Sequence, residues 1–142
     1  MSFSELKYGV DDGSYRAAGG LEGITQLVDA FYDFMEELPE AQVIRGMHRA
    51  DLGESRKKLA YFLSGWLGGP KLYAENFGGI VIPKAHGHLA IGQNEVDAWM
   101  LCMQKAVDLQ PYPQAFKDYL INQLRVPAER IRVVCEKNIH GE

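Results

Sequence analysis

The sequence predicts an all-α fold, and three observations carry that reading. Apolar residues recur at three- and four-residue spacing through several long stretches, which gives each stretch one buried face as a helix. The one strand-like run, Ile80-Val81-Ile82, has no second strand signal to pair with and reads as loop. The helical stretches number about six, differ in length and show no clear heptads, which disfavours a coiled coil or a regular four-helix bundle.

Residues 1–13 read as an irregular extension ending in Asp11-Asp12-Gly13. Ser14 is placed to cap a short helix over Tyr15-Arg16-Ala17-Ala18, and Gly19-Gly20 to end it, because glycine tolerates the left-handed conformation at a helix terminus. Residues 21–38 form the clearest helix: Ile24, Leu27, Val28, Phe31, Met35 and Leu38 make one stripe, with Tyr32 inside it. Pro39 stops that helix. Residues 39–51 read as a connecting segment with Met47-His48 near its end. The next helix spans 52–67, with Leu59, Phe62, Leu63, Trp66 and Leu67 on one face and Ser55 one turn before Leu59. Arg56, Lys57 and Lys58 form its basic edge, and Gly68-Gly69-Pro70 terminates it.

Residues 71–77 form a further turn or two of helix, after which Gly78-Gly79 and Pro83 break the chain. His86 follows, on a short helix. Gly92-Gln93-Asn94 offers a cap for a helix over 94–108, whose stripe is Val96, Trp99, Met100, Met103 and Val107. A last long helix over 113–125 turns Phe116, Tyr119, Leu120 and Leu124 inward, and Pro127 is expected to break or kink it before a second segment over 127–138.

A chain of 142 residues with 46% apolar content is read as one soluble domain, residues 1–142. Net charge is −4 and no basic cluster is visible, so nucleic acid is not an expected partner. No apolar run approaches the roughly 20 residues of a membrane helix, and the first residues lack a signal-peptide pattern. Cys102 and Cys135 are too far apart for a CxxC motif. They read as buried thiols in a reducing cytoplasm, with their pairing open.

His86 is the strongest metal-ligand candidate. A single histidine near apolar residues is ordinarily a packing or loop residue, but Tyr32, Lys58, Leu59, Phe62 and Trp99 all lie on amphipathic segments suited to a haem pocket. Haem iron is commonly held by one proximal histidine, and Leu89 and Ile91 follow where they could line a flat apolar slot. His86-x-His88 as a non-haem pair is poor on a helix, since residues two apart point to roughly opposite faces. Tyr32, Trp99 and His48 are candidates for the opposite side. A gas on ferrous iron takes on negative charge, and preplaced neutral donors such as Tyr O–H and Trp N–H stabilise it. Considered alone, Tyr32 and Trp99 fit a core role better than a ligand-binding one, and His48 fits a surface loop. Lys58 projects toward the rim, where a lysine can pair with a haem propionate.

With Gly19-Gly20, Phe31-Tyr32, Met47-His48, Leu59 with Phe62-Leu63, Gly68-Gly69-Pro70, His86 with Ile91, and Asp97-Ala98-Trp99 followed by Cys102-Met103, the chain resembles the truncated haemoglobins, group II, over roughly residues 17–135. The resemblance implies a truncated globin-like two-over-two helical sandwich around a haem. It implies His86 as proximal ligand, with Tyr32, His48 and Trp99 facing the gas. Ser55 and Leu59 would lie over the haem and Phe62 against its edge.

Two features depart from the family. Ala85 stands where a basic residue often precedes the proximal histidine, which shifts propionate anchoring toward Lys84. The segment between Tyr32 and His48 is longer than usual, which leaves Arg45 or Met47 as alternatives to His48. The expected cofactor is haem b without thioether attachment, since no C-x-x-C-H motif exists. The expected function is reversible binding of oxygen or another diatomic gas (CO, NO), with a reductase as electron donor. The alternative is a haem enzyme with peroxidase-like or nitric oxide dioxygenase-like activity.

Overall fold

The computed structural model describes residues 8–48, 51–78 and 92–139, which form seven α-helices and one 3-10 turn. They are α1 (Gly13–Ala17), α2 (Gly20–Glu37), the 3-10 turn (Pro39–Ala41), α3 (Gln42–Gly46), α4 (Gly53–Trp66), α5 (Leu72–Phe77), α6 (Gln93–Asp108) and α7 (Gln114–Ile139). Helix α2 packs against both α4 and α6, and α6 packs against α7. The long helices therefore form two pairs, α2 with α4 and α6 with α7, joined through α2–α6 as a two-over-two helical sandwich.

The core follows from the stripes. On α2, Ile24, Leu27, Phe31 and Met35 are completely buried, and Met103, Val107, Phe116 and Leu120 meet them from the second pair. Each such side chain contributes about 1.5–3 kcal/mol by leaving water. Cys102 is buried within the same core, where burial, with Glu40 adding to it, pushes its thiol up to about 11. The Cys135 side chain lies outside the described residues.

The end of α4 is a Schellman turn. Gly68 takes φ +91°, its N–H donates to the Gly65 carbonyl at 3.1 Å, and the Gly69 N–H donates to the Ser64 carbonyl at 2.8 Å. The buried Ser64 hydroxyl donates to the Pro70 carbonyl at 2.7 Å, folding the Gly-Gly-Pro turn back on its own helix. The chain has used its left-handed glycine where the sequence places one.

Three elements differ from the sequence expectation. Ser14 lies inside α1 rather than at its cap, and its buried hydroxyl accepts the Gly9 N–H at 2.8 Å. The segment after Pro39 carries the 3-10 turn and α3, because Ala41 and Ile44 find burial that so short a stretch does not advertise. Residues 114–139 are a single helix with Pro127 inside it. Proline removes one N–H from the ladder there, but Leu124 and Ala128 on either side are buried and hold the helix in register. The readings of Ile80-Val81-Ile82, of a short helix at His86 and of residues 1–7 fall outside the described residues.

Gly23 tests how tightly α2 meets the turn before it. A Cβ there would stand 2.0 Å from the Ala18 carbonyl oxygen, the same oxygen that accepts the Tyr112 hydroxyl at 3.0 Å. Helix propensity alone would have Gly23→Ala stabilise by about 1 kcal/mol. The close approach reverses that sign, and we expect a loss of about 1–3 kcal/mol from overpacking. Urea unfolding of wild type and variant reads the sign directly; a gain in stability would show that the α1–α2 turn moves aside freely.

Candidate functional site: a cavity between the helix pairs

A cavity of about 350 Å³ opens among α2, α3, α4, α5, α6 and α7. Most of its wall is apolar: Ile44, Leu59, Phe62, Leu63, Val96, Leu124 and Ile131. Leu59, Phe62 and Trp99 are only half-buried, while Leu63 and Met103 on the same helices are fully buried. Their exposed surface faces the cavity rather than the core. Polar atoms are few and come from Tyr32, His48, Ser55, Lys58, Tyr73 and Glu95.

Tyr32 is buried on α2 and lies edge-on to Phe31 at 5.0 Å and to His48 at 5.8 Å between ring centroids. Its hydroxyl donates to the Ser55 carbonyl at 3.5 Å. That separation is at the limit of a hydrogen bond, so the proton is weakly committed to its backbone partner. Burial pushes the phenol up to about 12, against the pull of Arg56. The group therefore stays a neutral donor across the physiological range.

The His48 Nδ1 lies 2.8 Å from the Ile44 carbonyl oxygen. A carbonyl only accepts, so Nδ1 carries the proton. Trp99 packs against Phe31 at 5.0 Å and brings an indole to the wall from α6. Lys58 Nζ lies 2.9 Å from Glu54 Oε1, one turn back on α4, and 5.4 Å from the Phe77 ring centroid.

The structure thus brings Tyr32, His48, Ser55, Lys58, Leu59, Phe62 and Trp99 to one cavity. Of the two alternatives to His48, Met47 lines the cavity and Arg45 is instead 3.7 Å from Glu36. Lys84, His86, Leu89 and Ile91 lie outside the described residues, as do Ala85 and His88. Tyr73 and Glu95, the lining residues nearest in sequence on either side of segment 79–91, both border the cavity. Among the described residues, no three His, Cys, Asp or Glu side chains converge to hold a metal ion.

The sequence reading missed Tyr73 and the α7 wall. Leu124, Ala128 and Ile131 fall at i, i+4 and i+7, a single helical face. That signal was present, but it becomes readable only if the helix runs through Pro127.

These residues fit a flat apolar cofactor such as haem. Two layers of helices supply opposing apolar walls, and polar groups are confined to a few positions. Among the described residues, no buried side-chain polar atom is left without a partner, as an apolar guest requires. No helix among the described residues is long and apolar enough to cross a membrane.

Residues 13–132 match the bacterial-like globin family. The chain is 31% identical over 112 residues to the group 2 truncated hemoglobin YjbI of Bacillus subtilis, covering 79% of this chain and 83% of that protein. The group II 2-on-2 hemoglobin of Agrobacterium tumefaciens superposes with a TM-score of 0.81 at 32% identity, covering 93% of this chain and 98% of that one. The truncated oxygen-avid haemoglobin of Bacillus subtilis superposes with a TM-score of 0.73 at 31% identity, covering 83% of this chain and 97% of that one.

The raised phenol of Tyr32 has a measurable consequence. Its folded value of about 12 exceeds the ordinary 10.0, so the folded state holds the proton more tightly than the unfolded chain. Its contribution is complete below pH 10 and is lost as pH rises toward 12. Tyr32→Phe should flatten that alkaline loss by about 2–3 kcal/mol. Unfolding free energies of both proteins across this range give the comparison; parallel curves would mean that the phenol is solvated.

Proposed function

Because the chain belongs to the bacterial-like globins, and within them to the group II truncated haemoglobins, we propose that it holds haem b in this cavity through His86 and reversibly binds oxygen. The observation that carries the reading is the half-buried Leu59, Phe62 and Trp99 converging with the Tyr32 hydroxyl on one apolar cavity. The description of the Bacillus subtilis relative as oxygen-avid supports oxygen as the gas.

Haem supplies, when bound, an iron with a coordination position for a diatomic gas. The chain supplies the rest. Leu59, Phe62, Val96 and Leu124 exclude water, which strengthens every polar contact inside. Tyr32 and Trp99 donate hydrogen bonds to the partial negative charge of a held gas. Ser55 contributes the carbonyl that holds the Tyr32 hydroxyl in place between guests. Lys58 and Lys84 would pair with the haem propionates. The chain acts as one globin domain in the cytoplasm, and a separate reductase would serve as its electron donor.

Two measurements test this function. His86→Ala should lose haem or hold it weakly, whereas His88→Ala should keep it. A His86→Ala protein with a normal histidine-ligated absorption spectrum would refute the ligand assignment. Tyr32→Phe and Trp99→Phe should each speed oxygen release, since a hydrogen bond to a charged partner contributes about 1.5–3 kcal/mol, or roughly one to two orders of magnitude in rate. The effects should be less than additive, because both donors serve one small ligand. CO, much less polar when held, should respond less. Unchanged oxygen release in both variants would leave the two residues as packing aromatics.

A further inference from the structure

Tyr32 is backed by a charged assembly outside the cavity. Asp29, Tyr32 and Asp33 fall at i, i+3 and i+4 on α2, so all three share one face. Arg56 reaches them from α4, next to Ser55. Its Nη1 donates to the Asp29 carbonyl at 3.0 Å and to Asp29 Oδ1 at 3.2 Å, and its Nη2 donates to Asp33 Oδ1 at 2.9 Å. Held by these bonds, the guanidinium lies 5.7 Å from the centroid of the Tyr32 ring, within the range of a cation–π contact. Arg56 is not among the residues that line the cavity, so anything it does there it does through Tyr32.

We propose that Arg56 is a positioning residue for Tyr32: the α2 carboxylates fix its guanidinium over the phenol ring, where it holds the ring in place and strengthens the hydroxyl as a donor into the cavity. The donor part rests on the gas-binding reading above. The chemistry is direct. A fixed positive charge near the ring stabilises negative charge on the phenol oxygen, which makes its O–H a better donor. The Coulombic pull of Arg56 against burial has that same sense. The weak bond to the Ser55 carbonyl leaves the strengthened proton available to a guest. His48 meets the ring edge-on from another side, but its Nδ1 proton is engaged by Ile44. Asp29 and Asp33 are 53% and 67% exposed against 26% for Arg56, so water screens their charges and the guanidinium is the charge that acts on the phenol.

The alternative is that Arg56 merely ties α4 to α2. Two readouts separate these roles. In protein labelled with 3-fluorotyrosine, the Tyr32 fluorine signal, assigned with Tyr32→Phe, should move in Arg56→Met while the other six of the seven tyrosines hold still. Arg56→Lys, which keeps a charge but not the fork, should restore part of the shift. In the haem-loaded protein, Arg56→Met should speed oxygen release by about 2- to 5-fold, and should add nothing in a Tyr32→Phe background. An unmoved Tyr32 signal, or the same acceleration without the Tyr32 hydroxyl, overturns the proposal. If Arg56→Met does not fold, Asp33→Asn loosens the same guanidinium and should shift the signal in the same direction; a silent Asp33→Asn then overturns it. Unchanged oxygen release in Tyr32→Phe, with a responsive fluorine signal, would sink the gas-binding role of Tyr32 while upholding the placement of its ring by Arg56.

Discussion

The arrangement depends on α2 burying two faces at once. Phe31 and Tyr32 are neighbours, about 100° apart around the helix axis. Phe31 is turned into the core against Trp99 of α6, and Tyr32 toward His48 and Arg56. One helix therefore sets the distance between the two pairs, and the cavity is the space that this distance leaves. The bulk of Phe31, completely buried, keeps the Trp99 indole at the wall. A smaller side chain there would let the second pair settle inward at the expense of the cavity.

Much of this was legible in the sequence, for a local reason. Stripes at three- and four-residue spacing placed α2, α4 and α6 within a residue or two, because their burial is periodic and their ends carry Pro39, Gly68 and Gly92. The Gly68-Gly69-Pro70 turn was readable because its chemistry is contained between Ser64 and Pro70. What was missed depends on distant parts of the chain. Five residues of α3 cannot show a period, and only the burial of Ile44 justifies them. The continuity of α7 through Pro127 is a tertiary decision, made by the burial of Leu124 and Ala128.

The site divides the same way. Tyr32, Ser55, Leu59, Phe62 and Trp99 could be assigned to one surface from their positions on amphipathic helices, and all of them line the cavity. Tyr73 and Ile131 could not, since each reaches the wall from a segment whose direction the sequence leaves open. The contacts of Arg56 were also hidden. Sequence pattern makes it one of three basic residues on an exposed edge, and only the packing of α4 on α2 brings it to Asp29 and Asp33.

The polar atoms of the cavity are not interchangeable, and backbone geometry is what distinguishes them. A carbonyl of α3 holds the His48 proton at Nδ1 at 2.8 Å, which commits that donor to the backbone. A carbonyl of α4 engages the Tyr32 proton at 3.5 Å, too far to hold it firmly. The indole of Trp99 can only donate. Of the three aromatic groups, a guest that needs donors therefore meets the Tyr32 hydroxyl from α2 and the Trp99 indole from α6, while the His48 Nδ1–H is already engaged by the backbone. Two backbone carbonyls on separate helices thus distinguish the Tyr32 donor from the His48 donor, one loosely engaged and one held, a difference that the side-chain identities alone do not make.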